Sequence, residues 1–260
     1  MKIIDPEIEF VRRCGLEKVR LAYAVCYKNE SKISWEKCEE WLTRVMSNGH
    51  TSPCEHLRLR IPIQDFEYKK ATIKNLPYGF SSRITITRTN KFVNINFRDW
   101  LAIGGKISDA KKYPEAEDYA TVKIICNRGV SHELVRHREM SFTQESTRYC
   151  NYLGNMKFIK DTYENGFKGA CKNLIWKLSC KISEILYNLL LKLGAKPQEA
   201  RNVLTNSLKT EIWVTGTYKA WTDFFALRTA KGAHPQMRQI CELILNDKRC
   251  PVEMRNWNYK

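Results

Sequence analysis

The sequence predicts one α/β domain whose helices mostly follow its strands. Between Leu57 and Ile63, apolar and polar residues alternate with the period of a half-buried strand. From Phe167 to Leu193 the apolar residues instead recur at the spacing of a long helix. The chain has 260 residues and shows neither an internal repeat nor a clear linker. That length is enough for one large core.

The first half of the chain predicts helices followed by strands. Leu16 to Cys26 predicts a short helix, and a second helix ends at Asn48-Gly49. Its helically spaced apolar residues are Trp35, Cys38, Trp41, Leu42, Val45 and Met46. After the strand that begins at Leu57, Arg83 to Thr89 and Phe92 to Phe97 alternate like a hairpin. Gly104-Gly105 and the charged stretch beyond it indicate a loop.

The second half predicts two further strands separated by helices. Thr121 to Cys126 is typical of a strand, after which Ser131 is positioned to cap a helix that runs through Arg138. The long helix ends at Gly194, and its apolar stripe contains Leu174, Ile175, Leu178, Ile182, Ile185, Leu186 and Leu189. The remaining predicted elements are a helix starting at Pro197, a strand over Lys209 to Val214, and helices over Tyr218 to Thr229 and Pro235 to Leu245.

Composition restricts the class of protein. Hydrophobic residues make up 43% of the chain, which is ordinary for a globular protein. No stretch is long and apolar enough to predict a membrane span, and Met1 to Phe10 lacks the apolar centre of a signal peptide. We therefore expect a cytoplasmic protein whose ten cysteines are reduced. Cysteine and histidine spacings predict no metal site. The net charge of +16 indicates polyanionic or phosphorylated ligands, without deciding between them.

The densest group of functional side chains begins at Arg136-His137-Arg138 and continues with Ser141, Gln144, Ser146 and Arg148. Unpaired cations are costly to bury, so such a segment either lies at the surface or holds an anion. On a helix, Arg136 and Arg138 point about 200° apart, which suits two ligands better than one. Ser146 and Arg148 would lie on one side of an extended segment, as a phosphate clamp. The alternative is that these arginines pair with surface carboxylates such as Glu133, Glu139 and Glu145.

Two further groups of residues are candidates for a binding site. Gly49 to His56 lies between a helix end and a strand, a position that suits a binding loop. Considered separately, His50 and His56 are more typical of structural hydrogen-bonding residues than of catalysts. Arg201 lies inside a predicted helix, whereas Arg228 is on an otherwise apolar helix face. A cation in such surroundings needs an anion or an acceptor.

These three groups, in this order, resemble the flavin-dependent thymidylate synthases. The resemblance rests on Arg136-His137-Arg138 with Ser141 and Gln144 to Tyr149, and extends from about Leu16 to Pro251. It implies a single domain over residues 1–260 with a mainly antiparallel sheet flanked by helices, and an insertion at about 64–120. The implied reaction is the reductive methylation of dUMP to dTMP. FAD would be the cofactor, methylenetetrahydrofolate the carbon donor and NADPH the reductant, in a homotetramer with active sites between subunits.

The resemblance also implies roles for individual residues. The residues implied to bind FAD are His50, Ser52, Arg136, His137, Arg138, Glu139, Gln144, Thr217 and Asp223. Those implied to bind dUMP are Glu133, Leu134, Val135, Arg136, Gln144, Glu145, Ser146, Thr147, Arg148, Arg201 and Arg228. Arg228 is also the implied catalytic residue, since a fixed cation would favour ionisation of the uracil ring.

The chain departs from the family pattern at three places. Thr217 and Asp223 stand where many relatives have asparagines, and Gln144 stands where others have glutamate. His234 lies two residues further from Arg228 than in some members. These differences concern the FAD contacts and leave the arginine framework intact.

Two other functions compete with this one. Covalent catalysis by Ser146 or Cys150 would require a neighbouring base or a strongly lowered pKa, and the sequence shows no base nearby. A nucleic-acid-binding protein would place aromatic residues between cations, and Tyr149 and Tyr152 near Arg148 form only a weak version of that pattern. Nucleic acid and membranes are therefore not the expected partners.

Overall fold

The computed structural model describes residues 1–12, 14–28, 38–67, 87–89 and 91–255. Its strands are β1 (Lys2–Ile4), β2 (Glu7–Phe10), β3 (Arg58–Pro62), β4 (Thr87–Arg88), β5 (Phe92–Asn96), β6 (Tyr119–Asn127), β7 (Ser141–Gln144), β8 (Lys157–Ile159) and β9 (Lys209–Thr217). Its helices are α1 (Gly15–Tyr27), α2 (Cys38–Ser47), α3 (Phe97–Ala102), α4 (Asp109–Lys112), α5 (Arg128–Leu134), α6 (Phe167–Lys192), α7 (Pro197–Ala200), α8 (Tyr218–Arg228), α9 (Pro235–Asn246) and α10 (Val252–Arg255). Short 3-10 turns span Ser52–His56 and Arg201–Val203.

A four-stranded antiparallel sheet in the order β2-β6-β9-β7 forms the centre of the molecule. One face packs against α5, α8 and α9 through a core that includes Trp221, Phe224 and Met237. On the other face, Trp213 packs against Ala22 and Val25 of α1. The predicted mixed fold with a mainly antiparallel sheet flanked by helices is therefore confirmed.

Strands β6 and β7 both run antiparallel to β9, so they end on the same side of this sheet. Asn127, the last residue of β6, pairs with Lys209, the first residue of β9. Gln144, the last residue of β7, pairs with Ile212 of β9. The residues that follow β6 and β7 therefore begin close together, although Asn127 and Gln144 belong to different strands. Both following segments contain predicted site residues.

A second, three-stranded antiparallel sheet has the order β3-β5-β4. The predicted hairpin is present in its described part, with Thr87 opposite Asn94 and Arg88 opposite Val93. Val93 and Trp100 share one core with Leu59 and with Tyr23 of α1. Trp35 of the second predicted helix, residues 83–86 of the hairpin and Asn90 lie outside the described residues.

The helix after β6 is shorter than predicted. α5 ends at Leu134, so Arg136 and Arg138 lie in the turn beyond it and not on opposite sides of a helix. The prediction that Ser131 caps this helix was also wrong. The cap is Asn127, whose side-chain oxygen accepts from the backbone N of Val130 at 2.7 Å. The helix then tightens, because the backbone N–H groups of Arg136 and His137 donate three residues back.

The long helix α6 is present as predicted, but its apolar stripe faces outward. Its buried side is made of other residues, including Trp176, Cys180 and Tyr187. The stripe residues Leu174, Ile175, Leu178, Ile182, Ile185, Leu186 and Leu189 are each at least 42% exposed. The helix is therefore apolar on two opposite sides, and other parts of the described chain cover only the side that contains Trp176, Cys180 and Tyr187.

Candidate functional site

The turn after α5, which we call the signature turn, contains Arg136, His137 and Arg138. Arg136, Arg138 and Glu139 are exposed, and His137 between them is half-buried. The ring of His137 meets Phe224 of α8 edge-on, with the ring centroids 4.9 Å apart. The packing of His137 thus fixes the turn and leaves the two flanking guanidinium groups accessible to an anion.

Arg228, at the end of α8, reaches into this turn. Its Nε donates to Nε2 of His137 at 2.9 Å, and its Nη1 is 2.9 Å from Oε2 of Glu133. Nη2 also donates to the backbone oxygen of Glu133 at 3.2 Å. The Arg228 side chain is only 14% exposed, so the carboxylate and the ring satisfy a cation that is largely withdrawn from water. Arg228 thus has the acceptor that its apolar helix face requires.

The environment of His137 keeps its imidazole neutral. Burial lowers the pKa of His137, and the positive charges of Arg228 and Arg136 lower it further. A neutral ring can accept at Nε2 while it carries its proton on Nδ1, and that tautomer is the one the Arg228 contact requires. The two residues therefore maintain each other's orientation.

Gln144, at the end of β7, joins α5 to β9. Its Nε2 donates to Oγ of Ser131 at 2.8 Å and to Oγ1 of Thr210 at 3.1 Å. Ser131 belongs to α5 and Thr210 to β9, so the amide connects the signature turn to the central sheet. Glutamate, which the family resemblance implies at this position, cannot donate in this way when it is ionised.

Ser146 and Arg148 lie in a turn and not in the extended segment that their spacing predicted. The backbone oxygen of Ser146 accepts from the N of Cys150 at 2.9 Å, which closes the turn. The hydroxyl oxygen of Ser146 accepts from the N of Arg148 at 3.2 Å, so its proton remains available to a ligand. Arg148 is exposed and lies 5.3 Å from the ring centroid of Tyr149. The turn therefore presents a guanidinium and a hydroxyl together.

The side chains of Glu145 and Thr147 are buried within this segment, at 3% and 8% exposure. Glu145 accepts hydrogen bonds from Tyr152 and from Lys209, and no sequence pattern connected Lys209 with the site. Arg128 was also missed, and its Nη1 donates to the backbone oxygen of Glu145 at 3.1 Å. The pairing of β9 with both β6 and β7 brings Arg128 and Lys209 to Glu145.

The group at Gly49 to His56 packs beside β7 and α1. His50 and Ser52 are exposed, whereas His56 is fully buried. The Nδ1 of His56 lies 2.7 Å from Oγ1 of Thr215 in β9. The structure thus separates a surface pair from a buried histidine with a structural hydrogen bond.

The remaining predicted residues lie further along the chain. Arg201 is exposed at the start of the 3-10 turn that follows α7. Thr217 caps α8, since its Oγ1 accepts from the N of Ala220 at 3.2 Å. Asp223 accepts from Nζ of Lys219 at 2.6 Å on the surface of the same helix. The roles implied for these residues stay predictions.

The thiol of Cys150 is unsuited to nucleophilic attack. Burial raises the pKa of Cys150 to about 11, and the carboxylate of Glu145 also raises it. The Sγ group donates to the backbone oxygen of Cys26 at 3.6 Å. The positive charges nearby therefore do not produce a reactive thiolate.

No helix in the described ranges has both the length and the apolar character needed to cross a bilayer. Within those same ranges, no three histidine, cysteine or carboxylate side chains are grouped so that they could hold a metal ion.

Comparison with known proteins identifies relatives of this chain. Two similar proteins are named flavin-dependent thymidylate synthase, from Mycobacterium tuberculosis H37Rv and Corynebacterium aurimucosum. They are 30% and 35% identical over 127 residues, which are 44% of this chain and 50% and 51% of theirs. The chain thus spans about half the length of the curated relatives it matches.

The fold also resembles a solved structure, the UMP/dUMP methylase PolB from Streptomyces cacaoi bound with 5-Br UMP. The TM-score is 0.50 at 15% identity, over 94% of this chain and 89% of PolB. At that identity the likeness concerns the fold. The family model described as thymidylate synthase complementing protein matches residues 116–252. That segment contains β6 to α9 and the contact between Arg228 and His137, and the chain belongs to this family.

Proposed function

We propose that this protein is a flavin-dependent thymidylate synthase that converts dUMP to dTMP, with methylenetetrahydrofolate as carbon donor and NADPH as reductant. The observation that carries the proposal is the arrangement around Arg228. Its guanidinium is held by Glu133 and His137 directly below a turn that exposes Arg136 and Arg138. This arrangement lies wholly within the segment that matches the family.

The exposed donors fit a cofactor that carries a pyrophosphate. Arg136 and Arg138 offer planar guanidinium groups, and Ser52 offers an exposed hydroxyl on the 3-10 turn that packs beside β7. Such donors suit phosphate oxygens, especially where the cations have not been withdrawn from water. Arg136, Arg138, His50 and Ser52 would therefore hold FAD. The bound flavin would supply the hydride for the reduction step.

The turn at Ser146 to Arg148 would hold the nucleotide. Its guanidinium and hydroxyl groups can satisfy a phosphate together. Arg201, exposed on its 3-10 turn, adds a further cation for the same substrate. These residues bind and orient dUMP and do not transfer a proton.

Arg228 would act on the uracil ring. A fixed, largely buried cation stabilises negative charge that develops on the ring, which makes the ring carbon more nucleophilic. Glu133 neutralises Arg228 before the substrate binds, and neutral His137 maintains the direction of its Nε–H group. The cation is therefore oriented in advance and needs little reorganisation during the reaction.

The outer side of α6 supports self-association, and we propose a homotetramer in the cytoplasm. Apolar residues recur every eleven positions along this side, as in the series Phe167, Leu178, Leu189 and the series Cys171, Ile182, Leu193. An eleven-residue repeat keeps its apolar positions on one face of a nearly straight helix. A helix that is apolar on both sides is normally buried, so a second copy of α6 is the occupant that matches this pattern.

The test is an anaerobic reaction of the purified protein with dUMP, methylenetetrahydrofolate and NADPH. We expect a yellow protein with flavin absorbance that forms dTMP in the presence of all three substrates. A colourless protein that forms no dTMP would contradict the proposal. If that protein also bound oligonucleotides with a steep salt dependence, nucleic-acid binding would replace it.

A further inference from the structure

A buried carboxylate lies next to the proposed nucleotide-binding turn. The side chain of Glu145 is 3% exposed, and its Oε2 accepts from Nζ of Lys209 at 2.7 Å and from the N of Glu211 at 3.2 Å. Its Oε1 accepts from the hydroxyl of Tyr152 at 2.9 Å. The protein itself thus uses both carboxylate oxygens.

Two lysines and a second glutamate surround Glu145. Nζ of Lys28 lies 3.5 Å from Oε2 of Glu145 and forms an ion pair with Glu211. Lys28, Lys209, Glu145 and Glu211, which we call the four-charge cluster, therefore carry two positive and two negative charges. Burial raises the pKa of Glu145, but Lys209 and Lys28 lower it more, so the net pKa is below the ordinary value. The carboxylate is thus ionised and paired at neutral pH.

The four-charge cluster holds the nucleotide-binding turn at Glu145, where the turn leaves the central sheet. The backbone N of Glu145 donates to the oxygen of Glu211 at 2.8 Å, and the N of Ser146 donates to the oxygen of Cys26 at 3.2 Å. Lys28 follows α1 directly, so one carboxylate joins the end of α1, the start of β9 and the turn. Burying such charges is costly unless all of them are paired, so this arrangement is favoured over one that leaves a charge unpaired.

We propose that Glu145 is a positioning residue that does not contact the nucleotide, and that the four-charge cluster sets the geometry of Ser146 and Arg148. The inference rests on the proposed binding of dUMP to this turn. It assigns Glu145 differently from the family resemblance, which implied a direct substrate contact. It also implies that Lys28 and Lys209 influence the affinity for dUMP, although both are remote from the turn in sequence.

The experiment measures dUMP affinity in three variants of the flavin-loaded protein. Glu145→Gln removes the charge at almost constant shape and leaves Lys209 uncompensated. We expect its Kd for dUMP to rise by about 10-fold or more, because small displacements of binding groups are costly. The double variant Glu145→Gln/Lys209→Met restores the charge balance, and we expect it to recover most of the affinity. Glu164→Gln, in an exposed ion pair with Lys172, is the matched control and should bind as the wild type does.

Recovery of dUMP affinity in the double variant distinguishes a positioning role for Glu145 from a direct contact between Glu145 and dUMP. A direct ligand cannot be restored by removing a lysine, so equally weak binding by both Glu145 variants would overturn the inference. Wild-type affinity in Glu145→Gln would also overturn it. If that variant does not fold, Tyr152→Phe replaces it, with weaker dUMP binding expected and unchanged binding overturning the inference. Failure of the wild type to bind dUMP would instead contradict the proposed function.

Discussion

Arg228 donates from its Nε to Nε2 of His137 across 2.9 Å. The contact joins the end of α8 to the turn after α5, although these residues are 91 positions apart. It requires a neutral imidazole, and burial together with Arg228 and Arg136 lowers the pKa of His137 accordingly. The proposed catalytic cation is therefore oriented by a residue of the signature turn, and not by its own helix.

Replacing Arg228 should separate catalysis from cofactor binding. In Arg228→Ala we expect FAD to be retained, with the rate of dTMP formation reduced by roughly 100-fold or more because the charge on the ring loses its counter-ion. Single-turnover formation of dTMP and flavin absorbance are the measurements. Lys172→Ala, at an exposed position on α6, is the control. Normal turnover by Arg228→Ala would remove the role assigned to this residue.

Replacing Ser146 should weaken substrate binding without abolishing the reaction. The hydroxyl proton of Ser146 is available to a phosphate, and loss of one such hydrogen bond raises the Kd for dUMP by roughly 10-fold. Titration of dUMP into Ser146→Ala measures this, and Ser179→Ala on the exposed side of α6 is the control. A covalent adduct on Ser146, detected by mass spectrometry of the wild type, would disprove this mechanism.

Cys150 should be chemically inert in the folded protein. With its pKa raised to about 11, very little thiolate exists near neutral pH. Iodoacetamide should modify the exposed Cys14 well before Cys150, as measured by peptide mapping. Cys150→Ser should still form dTMP, and its inactivity in a folded, flavin-loaded sample would restore covalent catalysis as an explanation.

His56 should make the protein less stable in acid. Burial, followed by the charge of Lys18, lowers its pKa to about 3. An unfolded chain protonates this ring below about pH 6.5, so between that pH and about 3 the unfolded state binds the extra proton. This residue should therefore lower the free energy of unfolding by up to about 1.4 kcal/mol for each pH unit of acidification in that window.

Urea unfolding of His56→Phe at pH 4 and pH 7 tests this contribution. The variant should lose less stability than the wild type between the two pH values, whereas the exposed His132→Gln should behave like the wild type. An identical pH dependence in His56→Phe and the wild type would show that His56 does not titrate as expected.

The outer side of α6 should control the size of the assembly. Leu178 is 58% exposed in this chain, and a charge at its position would be buried in a contact between copies. Leu178→Glu should shift the sedimentation profile towards smaller species, whereas Lys177→Glu on the flank of the stripe should shift it less. A wild-type protein that sediments as a monomer at micromolar concentration would contradict the proposed assembly.

Local sequence patterns predicted the type of each element better than they predicted where elements end and how the connecting segments fold. The alternation in β3 and the spacing in α6 predicted the correct type of element, because side-chain periodicity is a property of the element itself. The end of α5 was placed too late, since its tightening depends on the packing of His137 against Phe224. The spacing of Ser146 and Arg148 was interpreted as extended, whereas Ser146 begins a turn beside Cys26.

The sequence by itself determined which cations are candidates and which family the signature resembles, because both depend on the order of residues along the chain. Only the tertiary structure decided what each charge meets. It paired Arg228 with Glu133 and His137, and it buried Glu145 against Lys209. Both pairings depend on the antiparallel register of the central sheet and on the helices packed against it. Contacts between residues so distant in sequence leave no periodic trace, so they could not have been predicted from spacing.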